Sequence, residues 1–384
     1  MKILKFGGSS VGNAERIKNV VDIVINSLKV NKKVAVVFSA FQGITDLLIE
    51  TGNQAALGSN IYLTSLETIT NKHKTILRDL VKHENYNEYE VIVERRLNEL
   101  YELLQGVFLI KELTPKTLDY LMSFGERLSC QIITFCFNDK NIIAEFCDAR
   151  KLIKTDDNYN NAKVDLLKTN IKIKENFENK TNLQVITGFI SSTVNEETTT
   201  LGRGGSDYTA SIIGAALDVE EIEIWTDVDG VLTADPRKVN NAFPVLNLSY
   251  EEAMELSHFG AKVIHPPTMY PAMVKQIPIR IKNTFNPNFV GTIIGAKNTD
   301  FRFRIKGISS IDEVSILRVQ GPGMVGVAGI AKRLLGSLAV AGINIILISQ
   351  ASSEHSICLA ILPKYTAKAK KIIEQEFVYE IKDG

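Results

Sequence analysis

The chain has 384 residues, 45% hydrophobic and 23% charged, ordinary values for a folded soluble protein with room for two or three domains. Lysine plus arginine equals aspartate plus glutamate at 44 each, so the basic excess used by nucleic-acid and membrane-surface binders is missing, and neither partner is expected. Cys130, Cys136, Cys147 and Cys358 are scattered, without a CxxC pair or a histidine at ligand spacing. They read as small buried hydrophobes in a reducing compartment, and no metal-ligating cluster is expected.

Met1 to Phe6 runs into glycines without an apolar signal core, and the most apolar runs are only strand-length, so a cytoplasmic chain without a membrane span is expected. Ile3 to Phe6 predicts a strand, and Asn13 to Leu28 a helix with Ile17, Val20, Val21, Val24 and Ile25 on one face. Val34 to Phe38 has the continuous apolar character of a strand buried on both faces, and a helix begins near Ile44. This alternation implies an α/β fold, a mainly parallel sheet covered by helices on both faces. Residues 59–137 then read as a helical insertion. Strands return at Ile142 to Phe146, Leu183 to Phe189, Glu221 to Trp225 and Ile277 to Ile281, with a helix from Ser206.

Helical periodicity fades near Thr292 to Phe303, which places a domain boundary between 1–298 and 299–384. Beyond it come a strand at Val314 to Val319, a helix at Val325 to Ala341, and strands at Asn344 to Gln350 and Ser356 to Leu362. A helix at Ala367 to Glu376 and a last strand at Phe377 to Ile381 complete a ferredoxin-like β-α-β-β-α-β order.

Five motifs carry the chemistry. Lys5-Phe6-Gly7-Gly8-Ser9-Ser10 joins a strand to a helix: the glycines let backbone approach an anion, the helix start offers free N–H groups, and Lys5 adds a mobile charge. By itself such a turn is more commonly just a tight turn. Leu201 to Thr209 repeats the arrangement, with Arg203 beside three glycines as a carboxylate or phosphate fork and Ser206 or Asp207 as a helix cap. Two anion-binding helix starts suit a substrate with two anionic ends.

Trp225 to Val231, followed by Asp235-Pro236-Arg237, ends a strand in acidic and glycine residues, where ligands of open α/β sheets sit; an Asx turn is the plain alternative. Phe259 to Pro266 offers Lys262 as a nucleotide contact, and His265 reads as a packing or capping residue. In Ser123 to Ser129, Glu126-Arg127 is either a surface pair or a carboxylate aimed at an ammonium group.

KFGGSSV, SFGERLS, GRGGSDYTA, WTDVDGV with ADPR, and ELSHFGAKVIHP, in this order over residues 1 to about 295, together resemble the aspartokinase family of the amino-acid kinase superfamily. The C-terminal module resembles its ACT domains, and GINIILISQASSEHSI is most similar to the bifunctional aspartokinase–homoserine dehydrogenases. That likeness suggests an N-terminal piece of such a protein, with a naturally short kinase as the alternative.

The resemblance implies an amino-acid-kinase fold followed by an ACT module, and transfer of the γ-phosphoryl group of ATP, taken with Mg2+, to the β-carboxylate of L-aspartate. This would be the first step of lysine, threonine and methionine biosynthesis. It places Lys5, Gly7, Gly8 and Ser9 on the ATP phosphates, and Thr45, Glu126, Arg203 and Ser206 on aspartate. Thr226, Asp227, Arg237 and Lys262 would hold the nucleotide, with Lys5 and Asp207 as the catalytic pair. Leu232 stands where the family often has a tyrosine near the adenine. Gln350, Ser352 and Ser353 would contact an amino-acid effector, threonine before lysine, in a homo-oligomer; a polar hairpin turn is the plain alternative. The rivals are a kinase of glutamate, acetylglutamate or a nucleotide, and a non-catalytic amino-acid sensor.

Overall fold

The computed structural model describes residues 1–31, 33–258, 264–296, 305–351 and 355–383, divided into units at 1–309 and 310–384. The first opens with β1 (Lys2–Phe6), α1 (Ala14–Val30) and β2 (Val34–Phe38). Asn13 caps α1, its side chain accepting from the Arg16 N–H at 2.9 Å. Ile17, Val20, Val21 and Val24 of α1 are buried, at the spacing of one helical stripe. The insertion that follows consists of α2 (Ile44–Ala56), α3 (Ile61–Leu80), α4 (His83–Ile110) and α5 (Pro115–Asp139).

The chain continues through β3 (Ala144–Cys147), β4 (Lys154–Thr155), α6 (Leu166–Phe177), β5 (Leu183–Thr187), β6 (Ile190–Thr193) and β7 (Thr198–Thr200). Then come α7 (Gly205–Ala216), β8 (Glu221–Thr226), β9 (Asn247–Ser249), α8 (Tyr250–His258), α9 (Tyr270–Val274), β10 (Ile279–Asn283) and β11 (Thr292–Gly295). The large sheet has the order β3-β5-β2-β1-β8-β10-β11-β9. Its pairings are parallel except β10 with β11. A second sheet, β4-β6-β7, is small.

Strand alternation sorts side chains onto two faces. Leu4, Phe6, Val36 and Phe38 pack with the α1 and insertion helices, and the Phe6 ring stacks between Phe38 (5.4 Å) and Trp225 (5.7 Å). Such aromatic pairs add about 0.5–1.5 kcal/mol each beyond area burial. Ile3, Ala35 and Val37 pack on the opposite face with α7. Lys5, two residues after Ile3, shares that face and points toward the first turn of α7.

α5 has Thr114 as N-cap and Pro115 at its first turn, a standard helix start. Every residue from Leu121 to Phe137 is buried. This rejects the reading of Glu126-Arg127 as a surface pair, since they are 3% and 6% exposed. Among the described residues no helix is long and apolar enough to cross a membrane.

The second unit comprises β12 (Ser315–Gln320), α10 (Ile330–Val340), β13 (Leu347–Gln350), β14 (Ser356–Ile361), α11 (Thr366–Glu376) and α12 (Val378–Asp383). Its sheet is antiparallel, in the order β12-β14-β13. Two elements correct the sequence reading. The helix expected from Val325 starts at Ile330, because Gly326 and Gly329 adopt left-handed φ values of 70° and 96°. The last strand expected at Phe377 to Ile381 is helical. Arg333 of α10 holds Glu376 and Glu380, one helical turn apart, and so favours the helix.

Candidate functional site

The carboxyl ends of β1 and β2 and the first turns of α2 and α7 enclose a cavity of about 340 Å³. Lys5, Gly8, Thr45, Glu126, Ser206 and Asp207, six residues singled out in the sequence, line it together. Ser39 to Gly43, Asp46, Phe189 and the glycines Gly202, Gly204 and Gly205 complete the wall. Gly43 and Gly204 immediately precede α2 and α7 with φ values of 79° and 73°. A side chain at either position would strain the turn that aims the helix start inward. Both helices therefore present N–H groups and positive dipole ends to this space.

Lys5 Nζ meets Asp207 Oδ1 at 2.6 Å, and both side chains are largely buried. Glu126 lies deeper. One carboxylate oxygen accepts from the Ala40 N–H at 3.1 Å, and the other has no partner. Burial pushes the Glu126 carboxyl up to about 8, against the opposing pulls of the Ala40 hydrogen bond and the Lys5 charge. A buried carboxylic acid with one free oxygen, lining a cavity, is suited to receive a cation.

Two contacts fix the walls. Asp119 of α5, also buried, accepts from the Thr200 N–H (3.0 Å), the Thr200 hydroxyl (2.7 Å) and the Asn160 N–H (2.9 Å). It ties α5 to the end of β7, just before the Leu201–Gly205 turn. On the other side, Lys72 donates to the Gln42 carbonyl at 2.6 Å, and the ring of buried His73 lies 5.2 Å from Phe41.

The remaining candidates stand apart. Gly7 and Ser9 belong to the β1–α1 turn without lining the cavity; Gly7 N–H reaches the Trp225 carbonyl and Ser9 carbonyl accepts from Arg16. Thr226 and Asp227 sit at the end of neighbouring β8, their side chains hydrogen-bonded at 3.1 Å. Arg203 is exposed on the turn before α7 and does not line the cavity. Arg237 is exposed and grips Asp235 through two nitrogens, holding that carboxyl down at about 2. Leu232 forms an isolated bridge with Pro244. His265 packs against Gly204, and its carbonyl accepts from Thr268. Gln350 lines a separate cavity of about 360 Å³ in the second unit. Lys262, Ser352 and Ser353 lie outside the described residues.

Sequence reasoning missed Ala40, whose N–H holds Glu126, and Phe189, which has a left-handed φ of 65°. The Ser39-Ala40-Phe41-Gln42-Gly43 run after a buried strand, and the Gly188-Phe189 pair after another, were the available signals. The four cysteines are free, three of them buried, with Cys136 and Cys147 pushed up to about 11 and 12 by burial. No group of three or more histidine, cysteine, aspartate or glutamate side chains converges to hold a metal among the described residues.

The sequence model of the amino acid kinase family matches residues 1–283, and that of an ACT domain residues 317–377. The bifunctional aspartokinase/homoserine dehydrogenase 2 of Arabidopsis thaliana chloroplasts is 35% identical over 99% of this chain and 42% of its own length. Aspartokinase 1 of Arabidopsis chloroplasts is 34% identical over 99% of this chain and 66% of its own. The chain thus spans less than half the length of the bifunctional relative. E. coli aspartokinase III in complex with lysine and aspartate is similar in structure, with a TM-score of 0.80 and 29% identity, covering 98% of this chain and 83% of that one. The same enzyme in complex with aspartate and ADP also gives 0.80 and 29%, over 94% of this chain and 78% of that one.

Proposed function

The chain belongs to the amino acid kinase family, and from that premise we propose that it transfers the γ-phosphoryl group of MgATP to the β-carboxylate of L-aspartate. The observation that carries this reading is the convergence of the Lys5–Asp207 pair and the half-satisfied Glu126 carboxyl on one cavity. The similar aspartokinase III binds aspartate and ADP, which supports the same substrates here.

A carboxylate oxygen of aspartate bonds to the γ-phosphorus as the bond from that phosphorus to the bridging oxygen of ADP breaks. The nucleophile is already ionised at pH 7, so the transfer step itself moves no proton. Catalysis then rests on alignment and on charge held where it develops. Lys5 supplies that charge, Asp207 fixes the ammonium, and the N–H groups opening α7 face the transferring oxygens. Glu126 receives the α-ammonium group, and its carboxyl ionises as aspartate binds, releasing its proton to water before the transfer. Arg203, from its exposed turn, is assigned the α-carboxylate. Magnesium arrives on the ATP phosphates as part of the substrate. Thr226, Asp227, Arg237 and Lys262 are assigned to the nucleotide.

In the second unit, Gln350 and its cavity are assigned to an amino-acid effector, threonine before lysine. Titration calorimetry with the two amino acids checks this. The catalytic reading is tested by ADP release with aspartate and with glutamate, trapping the acyl phosphate with hydroxylamine. ADP and hydroxamate should form with aspartate alone. Equal turnover of glutamate, or none of aspartate, overturns the reading.

A further inference from the structure

Glu126 and Arg127 are consecutive on α5, yet they line different cavities. The Arg127 cavity, about 510 Å³, lies between α4, α5 and the outer strand β3. Six basic side chains and three acidic ones line it, an excess of three positive charges. In a chain of zero formal net charge, such a local excess is a concentrated feature.

The arginines here are poorly neutralised. Arg127 is 6% exposed, and its Nη2 donates to Glu99 at 2.9 Å while Nε and Nη1 have no hydrogen-bond partner. Its guanidinium lies 4.5 Å from the Phe124 ring centroid, which offers polarisable surface but no counter-charge. Arg96 lies over Phe146 at 4.8 Å and donates to the neutral Gln131 amide at 2.9 Å. Among the described residues no carboxylate pairs with it. Burial and then the Arg127 charge pull its guanidinium below its ordinary value, against the weaker opposing pull of the Asp148 and Glu99 carboxylates. Only Arg150 is fully matched, bidentate on Asp148.

A core that needed only packing would not bring these cations together, because each buried charge without a partner is costly. Glu99 shows what the cavity accepts: it is a carboxylate reaching in from α4, itself 39% exposed, that satisfies one guanidinium nitrogen. One carboxylate leaves the excess standing. A phosphate group carries nearly two charges at pH 7 and three oxygens that fit guanidinium forks.

We propose that the cavity between α4, α5 and β3 is a second binding site, separate from the kinase cavity, that takes a small phosphorylated molecule through Arg96 and Arg127, with the remainder against Phe146.

The test is independent of the kinase reading. Inorganic phosphate is titrated into the full chain at fixed ionic strength, using wild type, Lys5→Ala, Arg96→Gln and Lys151→Glu. Lys5→Ala removes the main cation of the kinase cavity. Lys151 is an exposed rim residue whose change leaves the core untouched. Binding at about millimolar phosphate should survive Lys5→Ala and weaken about tenfold in Arg96→Gln, and severalfold in Lys151→Glu. Should Arg96→Gln fail to fold, Lys151→Glu and an Arg96→Lys variant, expected to retain most binding, decide alone. Three results overturn the proposal: phosphate binding abolished by Lys5→Ala, binding indifferent to both Arg96 and Lys151, or malonate binding more tightly than phosphate through the same residues.

Discussion

At the phosphoryl-transfer centre of the proposed kinase site, Lys5 and Glu126 are buried and Asp207 nearly so, whereas toward the nucleotide Asp227 and Arg237 stand exposed on turns. The first half is fixed by the fold itself: alternation in β1 aims Lys5, α5 carries Glu126, and a left-handed glycine starts α7. The second half is fixed by contacts two residues long, such as Arg237 on Asp235. Buried polar groups left short of partners cost stability and are available at once for a ligand. Exposed ones cost the fold little and gain meaning only when a ligand arrives. Substitutions on the buried side should therefore move activity and stability together, and those on the exposed side affinity alone.

The sharpest test is Lys5→Ala. Removing a fixed charge from a water-poor site should lower kcat by about a thousandfold, roughly 4 kcal/mol. The KM for aspartate should change far less. Near-normal turnover at saturating ATP would break the comparison at its root.

Next is the floor beneath the Phe41–Gln42 wall. Burial of His73 lowers its ring from 6.5 to about 4. The unfolded chain thus binds the proton first, so this contribution to stability is complete above 6.5 and is lost as pH falls toward 4. The loss is on the order of 3 kcal/mol. Urea unfolding of wild type and His73→Leu at pH 5 and pH 7 reads it: the variant should lose most of the difference between the two pH values. An unchanged difference would show that other groups carry the acid sensitivity.

Glu126→Gln should move function and stability together but in opposite senses. Aspartate KM should rise about thirtyfold, the price of a lost charge-assisted contact of about 2 kcal/mol. With its folded value raised to about 8 from an ordinary 4.5, the carboxyl favours folding fully below 4.5 and loses that contribution as pH rises through 8. The amide cannot ionise, so the variant should gain melting temperature over wild type at pH 8.5 and match it near pH 5. A variant less stable at pH 8.5 would mean that the free Glu126 oxygen has a partner in solution.

These contrasts also explain what could be read in advance. β1, β2 and α1 were legible because their apolar spacing is regular and their ends carry caps or glycines. The buried character of α5 was not legible: its few charged residues look like a surface pair until α2, α4 and β3 close around them. β4, β6, β7 and β9 are too short for a period to show. At Phe377 to Ile381 the alternating apolar pattern suggested a strand, yet Arg333, distant in sequence, selects the helix by holding two glutamates. Within the site, Lys5, Glu126 and Asp207 could be named from motifs, whereas the Ala40 N–H could not, because backbone donors leave no trace in side-chain chemistry.

The smallest expected effect falls on the exposed half. Arg237→Gln frees Asp235 in solvent, where a surface pair contributes little, so thermal stability should stay unchanged within error. If the guanidinium leaves Asp235 for a nucleotide phosphate, ATP KM should rise about tenfold with kcat retained, the signature of lost uniform binding. Asp235→Asn discriminates further. It removes the Asp235 contact of Arg237, so ATP KM should fall or hold if that contact competes with phosphate. It should rise along with that of Arg237→Gln if the pair merely braces the turn. In the second case the exposed half would owe its order to the same principle as the buried one, contacts made before any ligand arrives, and the division between the two halves would be one of depth alone.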